Sequence, residues 1–458
     1  MRAFHRPAVP ALFGGLALAA SAASAQGDIT LPNGFAITQQ RAAVEKSERV
    51  MAEALKQPGL LASYRYMREA HTTDTSVPFR VIFNQYLSWF QTWVGDYVGA
   101  RAMFSIEQPP ARDDAPSPLA DGHTAAPASQ VIAELAKGRQ AVFFNENHSH
   151  ALTRTLTVQM LATLRAEGFD TFAAETLYED DVEGALKTRG YPNADTGFYT
   201  EEPIHGEMVR AAIRLGYRIV AYEALSDATH DPREAEQARN LKRAVFKGHP
   251  EARLVLNAGY AHIQESGRYF SGVAMAQHFR RLTGIDPLTI EQTMMVPHDD
   301  PAGDHPYYPA IIAAHAPSEP IVLRDADGTP WSLKKGAYDL SVVFPPETLR
   351  RGRPTWASIG GMRQPYQVTG AFCGDAYPCL VEARYEDEGD DAIPADRVLI
   401  EWMGRHAIPA DVVRESSDNI PLAELYLKPG RYRVVARDLN DQKRSRRTIT
   451  VREPRSTP

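Results

Sequence analysis

Apolar residues recur three and four positions apart through RAAVEKSERVMAEALKQPGLLASYRYMREA (41–70) and FRVIFNQYLSWFQTWVGDYVGARAMF (79–104). That is the period of helices with one buried face, and it predicts a helical N-terminal segment over 26–107. Trp89, Phe90 and Trp93 stand at helical spacing within it and read as core before they read as the wall of a cleft. QPPARDDAPSPLADGHTAAPAS then breaks all periodicity, which predicts a linker or mobile loop over 108–129. From about Gln130 short β-rich runs alternate with longer helical patterns: QAVFFN, TFAAE, YRIVAYE, ARLVLNAG and LTIEQT are separated by ALTRTLTVQMLATLRAEG, GEMVRAAIRLG, EAEQARNLKRAVFKGHP and SGVAMAQHFRRLTG. Such alternation specifies βαβ units, so 130–350 is expected to form an α/β domain with a parallel sheet covered by helices on both faces. Beyond it, short alternating runs such as YPCLVEARYED and LKPGRYRVVARDLN predict a small C-terminal β-sandwich over 351–458.

Composition narrows the class. The chain has 458 residues, 43 % hydrophobic and 23 % charged, as a globular protein of two or three domains would. Arg2 and Arg6 precede PALFGGLALAASAASA, an apolar run of signal-peptide length that closes on Ala23-Ser24-Ala25. Cleavage after Ala25 is expected, giving an exported protein, periplasmic or secreted, without a transmembrane segment in the mature chain. The formal net charge of −7 becomes more negative when the two arginines leave, which argues against nucleic acid or anionic membrane as partner and leaves a small-molecule or peptide substrate. The only cysteines, Cys373 and Cys379, sit in a Gly- and Pro-containing loop, and in an oxidising compartment they are expected to form a disulfide.

Candidate chemistry collects at the strand ends. QAVFFN runs into Glu146, Asn147 and His148; TFAAE ends in Glu175; YRIVAYE ends in Glu223; ARLVLNAG carries Asn257 and leads to Tyr260 and His262; and the strand in LTIEQT is expected to end in Glu291. In a parallel sheet these points share the carboxyl edge, where ligands of open α/β folds bind. Each has a plain structural reading as a cap or a satisfied loop residue, and it is their convergence that indicates a site. A His and a carboxylate facing a second carboxylate and a second His supply a base, an orienting partner and an acid, the set that ester or amide hydrolysis needs. The strand and helix region holds no Gly-x-Ser-x-Gly elbow, so attack by an activated water is expected. His148 is assigned as the base, oriented by Glu146 or Glu175, and His262 as the group that protonates the leaving group or steadies the oxyanion. Arg154, Tyr178, Asn257 and Tyr260 are the expected substrate- or oxyanion-binding residues, with Glu223 a further candidate. Glu146, His148, Glu175 and His262 also form a donor set for a divalent metal ion with water in an open position, although the compact His-x-x-x-His spacing is absent. His205, His230, His249 and His278 fall away from the strand ends and read as structural or surface residues.

FFNENHSHALTR, FAAETLY, RIVAYE and LVLNAGYAHI, in this order over about 130–295, resemble the superfamily that groups erythromycin esterases, the Tiki and TraB proteins and the ChaN haem-binding uptake proteins. The family pattern maps onto Glu146 and His148, onto Glu175, and onto Gly259-Tyr260-Ala261-His262. Asn145 stands where many members have Gly. The resemblance implies either hydrolysis or, through its ChaN branch, binding of haem or an iron complex in an uptake protein, with Tyr178 or His150 as the axial ligand. No Cys-x-x-Cys-His is present, so covalent haem attachment is excluded.

Overall fold

The structure, a computed structural model, describes residues 37–226, 228–374, 376–401 and 422–453. The expected export signal at 1–25 lies outside the described residues. Four helices, Ile37–Ala54, Leu60–Thr73, Val77–Trp93 and Tyr97–Met103, come first. Pro78 falls in the first turn of the third, where a missing N–H costs no helical hydrogen bond. The aromatic stripe of that helix is core: Trp89 and Phe90 are fully buried, and Trp89 meets Phe198 edge-on at 5.5 Å and Tyr199 at 6.2 Å. The helical core therefore continues into the α/β unit.

Eight strands make the central sheet: β1 (Thr124–Pro127), β2 (Ala141–Glu146), β3 (Thr171–Ala174), β4 (Arg218–Val220), β5 (Leu254–Gly259), β6 (Leu288–Met295), β7 (Ile321–Arg324) and β8 (Leu340–Val343). Their spatial order is β1-β7-β8-β6-β2-β5-β3-β4. From β8 to β4 the strands run parallel, whereas β7 and β1 close one edge antiparallel. Successive strand residues point to opposite faces. Val142 and Phe144 accordingly pack with Leu156, Leu161 and Met208, while Ala141 and Phe143 pack with Leu241, Met275 and Phe279. Helices Leu152–Ala166 and Pro203–Arg214 thus cover one face, and Asp231–Leu241 and Met275–Thr283 the other.

Two details depart from the sequence reading. Within 108–129, Thr124–Pro127 is the edge strand β1 rather than linker, paired antiparallel with β7. An edge strand needs only one row of hydrogen bonds, so it tolerates Pro127 and a pattern too short to read. The residues before it are fastened by Lys334 to Asp113 and Asp114 and by Trp331 Nε1 donating to Pro116 O. Glu291 does not end its strand, since β6 runs on to Met295.

In the C-terminal part, Cys379–Tyr385, Asp396–Ile400, Gly430–Arg437 and Lys443–Val451 form a four-stranded antiparallel sheet, and Gln364–Thr369 pairs with Leu422–Leu427. Val368, Leu425 and Leu427 share a core with Val381, Tyr432 and Val434, so the two sheets pack on each other. A disulfide joins Cys373 to Cys379. Among the described residues no helix is long and apolar enough to cross a membrane.

Candidate functional site

β5 lies between β2 and β3 in register, with Glu146 opposite Gly259 and Ala174 opposite Asn257. The ends of the three strands therefore meet. Glu146 Oε2 accepts from Arg154 Nε at 3.0 Å and from Asn257 Nδ2 at 2.5 Å; Oε1 accepts from Arg154 Nη2 at 2.8 Å and from His148 Nδ1 at 3.1 Å. Burial opposes ionisation of Glu146, but Arg154 and the His148 hydrogen bond hold its pKa well below the usual carboxylate range. An ionised carboxylate only accepts, so Nδ1 of His148 carries a proton towards Glu146, and Nε2 is the ring nitrogen left for proton transfer. That Nε2 is buried and finds no hydrogen-bond partner among the described residues. The ring is held flat against Tyr199, centroids 4.0 Å apart, and meets Tyr260 edge-on at 4.8 Å.

Glu175, the residue after β3, faces this imidazole, with Oε2 at 3.7 Å from His148 Nε2. Oε2 also accepts from Gly259 N at 2.6 Å, and Oε1 accepts from Arg233 Nη2 at 3.3 Å. On the far side stands His262, in the short turn Tyr260–Ile263 that follows β5, with Nε2 at 3.5 Å from Glu175 Oε1. Its Nδ1 lies 2.7 Å from Glu234 Oε2. Burial disfavours the charge on His262, but Glu234 and Glu175 together raise its pKa above the ordinary value. Burial likewise works against ionised Glu175, and His262, His148 and Arg233 overcome it to hold the carboxyl low. The arrangement offers an imidazole oriented by Glu146, a central carboxylate and a second imidazole that favours its proton, all nearly closed to solvent.

Glu146, His148, Glu175 and His262 are thus brought together. The other expected residues divide. Asn257 has its amide on Glu146 and accepts from Thr157 Oγ1 at 3.1 Å. Arg154 is buried, not on the surface, and bridges Glu146 to Glu202 at 2.8 Å. Tyr260 adopts a left-handed φ of 46° and donates to Asn147 Oδ1 at 3.3 Å. Glu223 lies one layer out, accepting from Arg233 at 2.9 Å, Gln237 at 2.8 Å and the Ala224 and Thr176 amides. Tyr178 packs against the aromatic core of the N-terminal helices. Asn145 ties the first loop down, donating to Tyr260 O at 2.9 Å and accepting from Gln292 N at 2.6 Å.

Arg233, Glu234 and Tyr199 escaped the sequence reading, in which His205 is a structural or surface residue. The first two sit in DPREAEQARNL, which looks like a solvated helical face, and Tyr199 lies on a short turn between helices. His205 is buried at the start of helix Pro203–Arg214, and burial pushes its pKa down to about 3. No local period distinguishes these residues from ordinary helical ones.

The donor set does not fit a divalent ion. Glu146 and His262 Nδ1 are committed to neighbours, and the guanidinium of Arg233, 3.3 Å from Glu175 and 3.4 Å from His262 Nε2, holds the place a cation would take. Among the described residues no group of three or more His, Cys, Asp or Glu is arranged to bind a metal. Of the two expected haem ligands, Tyr178 and His150, neither lines the cavity beside the N-terminal helices. His150 lies against Trp356 at 6.3 Å with Nε2 at 3.9 Å from Glu347, and that cavity, of about 1060 Å³ between the N-terminal helices and the C-terminal sheet, has no His, Tyr or Cys in its wall.

No family model and no curated protein matches the chain. Among solved structures it is similar to bacterial protein toxins, at 13 % identity and a TM-score of 0.30 over 56 % of this chain and 57 % of that one. The type III effector HopBA1 aligns at 13 % identity and a TM-score of 0.26 over 41 % of this chain and 94 % of its own. RRSP, a MARTX toxin effector domain from Vibrio vulnificus CMCP6, aligns at 14 % identity and 0.28 over 58 % and 66 %. The chain spans about 57 % of the length of the first of these toxins. Likenesses this slight carry no argument here, and the resemblance to the erythromycin esterase and Tiki superfamily rests on the quoted motifs alone.

Proposed function

We propose that this protein is an exported hydrolase that cleaves an ester or amide bond with a water activated by His148. One observation carries the reading: His148 Nε2 is buried, has no hydrogen-bond partner among the described residues although Glu175 Oε2 faces it at 3.7 Å, and belongs to a ring whose other nitrogen is held by Glu146 and whose face is clamped by Tyr199. An imidazole so oriented is a base waiting for a proton donor. The neighbouring Ser149 Oγ is engaged by Ser88 Oγ at 2.6 Å, which sets that serine aside as nucleophile. Water is then the attacking group. His262 stands across Glu175 to protonate the leaving group or steady the oxyanion. The superfamily resemblance supports this reading through Glu146, His148, Glu175 and the Gly259–His262 motif.

The test is a panel of ester and peptide substrates with the wild-type chain and His148→Ala. Removal of the base is expected to lower turnover of the best substrate by about 100- to 10,000-fold with the fold intact by circular dichroism. Wild-type turnover by folded His148→Ala would sink the proposal.

A further inference from the structure

The Glu146–His148 pair has a counterpart on the other side of Glu175. Glu234 Oε2 lies 2.7 Å from His262 Nδ1 and accepts from Met275 N at 2.9 Å, so it is locked to the start of helix Met275–Thr283. Nε2 of His262 is thereby turned to Oε1 of Glu175, as Nε2 of His148 is turned to Oε2 of the same carboxylate. Arg233, beside Glu234 on helix Asp231–Leu241, donates to Glu223 at 2.9 Å and reaches both Glu175 and His262 Nε2. The groups facing His262 are then Glu175 from the end of β3, Arg233 and Glu234 from the helix, and the Tyr269 ring at 5.3 Å from the following loop. Two carboxylates outweigh one guanidinium.

We infer that Glu234 and Arg233 are positioning residues that make His262 the general acid paired with the base His148, and that Glu175 returns the proton between the two rings. The inference rests on the hydrolase reading and narrows its substrate class to esters or amides whose leaving group must be protonated, alkoxides or amines. In the step, the water oxygen bonds to the acyl carbon while one water proton passes to His148 Nε2. The bond from the acyl carbon to the alkoxy oxygen or amide nitrogen then breaks, and its electron pair takes the proton from His262 Nε2. Glu175 accepts the proton from His148 and passes it to His262, so both rings are restored and one water is consumed. Arg233 keeps Glu175 between the rings through the cycle.

The experiment uses the full chain and the variants Glu234→Gln, Glu234→Asp and Arg233→Lys, with two esters of one acid, one an alkyl ester and one a p-nitrophenyl ester. The p-nitrophenolate needs no proton to leave. Glu234→Gln is expected to lower the proton affinity of His262 about tenfold by nitrogen NMR titration, and to reduce kcat on the alkyl ester about 10- to 100-fold with KM little changed. The aryl ester should lose less than about fivefold, and Glu234→Asp should recover most of the alkyl-ester rate. An unchanged His262 titration in a folded variant, or equal losses on both esters, overturns the inference. If the wild-type chain cleaves neither ester, the hydrolase reading is what has failed, and the titration still decides whether Glu234 sets the state of His262. Should Glu234→Gln not fold, Arg233→Lys carries the ester comparison: a loss of kcat on the alkyl ester larger than on the aryl ester supports the inference, and equal losses overturn it.

Discussion

A β-carbon placed on Gly259 would fall 2.2 Å from His148 Nε2 and 2.8 Å from Glu175 Oε2. Gly259 has an ordinary φ of −70°, so no backbone conformation demands glycine there. The demand comes from the imidazole, which occupies the space of the missing side chain. Gly259→Ala is therefore expected to push His148 off Tyr199, lowering kcat about 100-fold and stability by about 1–3 kcal/mol. A crystal structure of the variant with His148 in place, or wild-type turnover, would contradict this.

Arg154 is buried between two carboxylates, Glu146 and Glu202. Its removal leaves both without a cation, and breaking a buried pair in this way typically costs about 3–5 kcal/mol. Arg154→Ala should shift the urea midpoint accordingly, and Arg154→Lys, which keeps the charge but loses the fork on Glu146, should fall between it and wild type. A loss below about 1 kcal/mol for Arg154→Ala would show that the pair does not hold the site.

Glu175 and Glu223 distinguish the working layer from its support. Glu175→Gln removes the charge that both imidazoles face, and should reduce kcat by about 10- to 100-fold. Glu223→Gln touches only Arg233, Gln237 and backbone amides, so it should lower Tm while leaving kcat within about threefold. Steady-state kinetics with thermal melts of both variants separates the two; a larger kcat loss in Glu223→Gln would reverse the assignment.

Glu265 makes stability depend on pH. Burial raises its pKa from 4.5 to about 7; the Thr289 hydroxyl opposes this, and the charges of Asp339 and Asp286 add to it. A carboxyl with a raised folded pKa keeps a proton that the unfolded chain releases, so wild-type stability declines as pH rises from about 4.5 to about 7. Glu265→Gln cannot ionise. Its Tm relative to wild type should be higher at pH 8 than at pH 5, and an offset independent of pH would refute the shift.

The sequence by itself determined the alternation of strands and helices from Gln130 onward and the residues at the strand ends, because both are local. A β-rich run that stops at Glu146, at Glu175 or just before His262 marks its own end, and parallel strands put all such ends on one edge. What local patterns do not carry is the order of the strands across the sheet. β5 follows β3 and β4 in the chain yet inserts between β2 and β3, and only that placement brings Gly259 against His148 and His262 within reach of Glu175. Tertiary packing also recruited Arg233 and Glu234 from a helix that looks solvated, buried Arg154, stacked Tyr199 on the base, and left Tyr178 in the aromatic core. These partners lie tens of residues apart in the chain, and their contacts are set by how crossovers pack on the sheet; a period of 2 or 3.6 residues reports which face a side chain takes and says nothing of what it meets there.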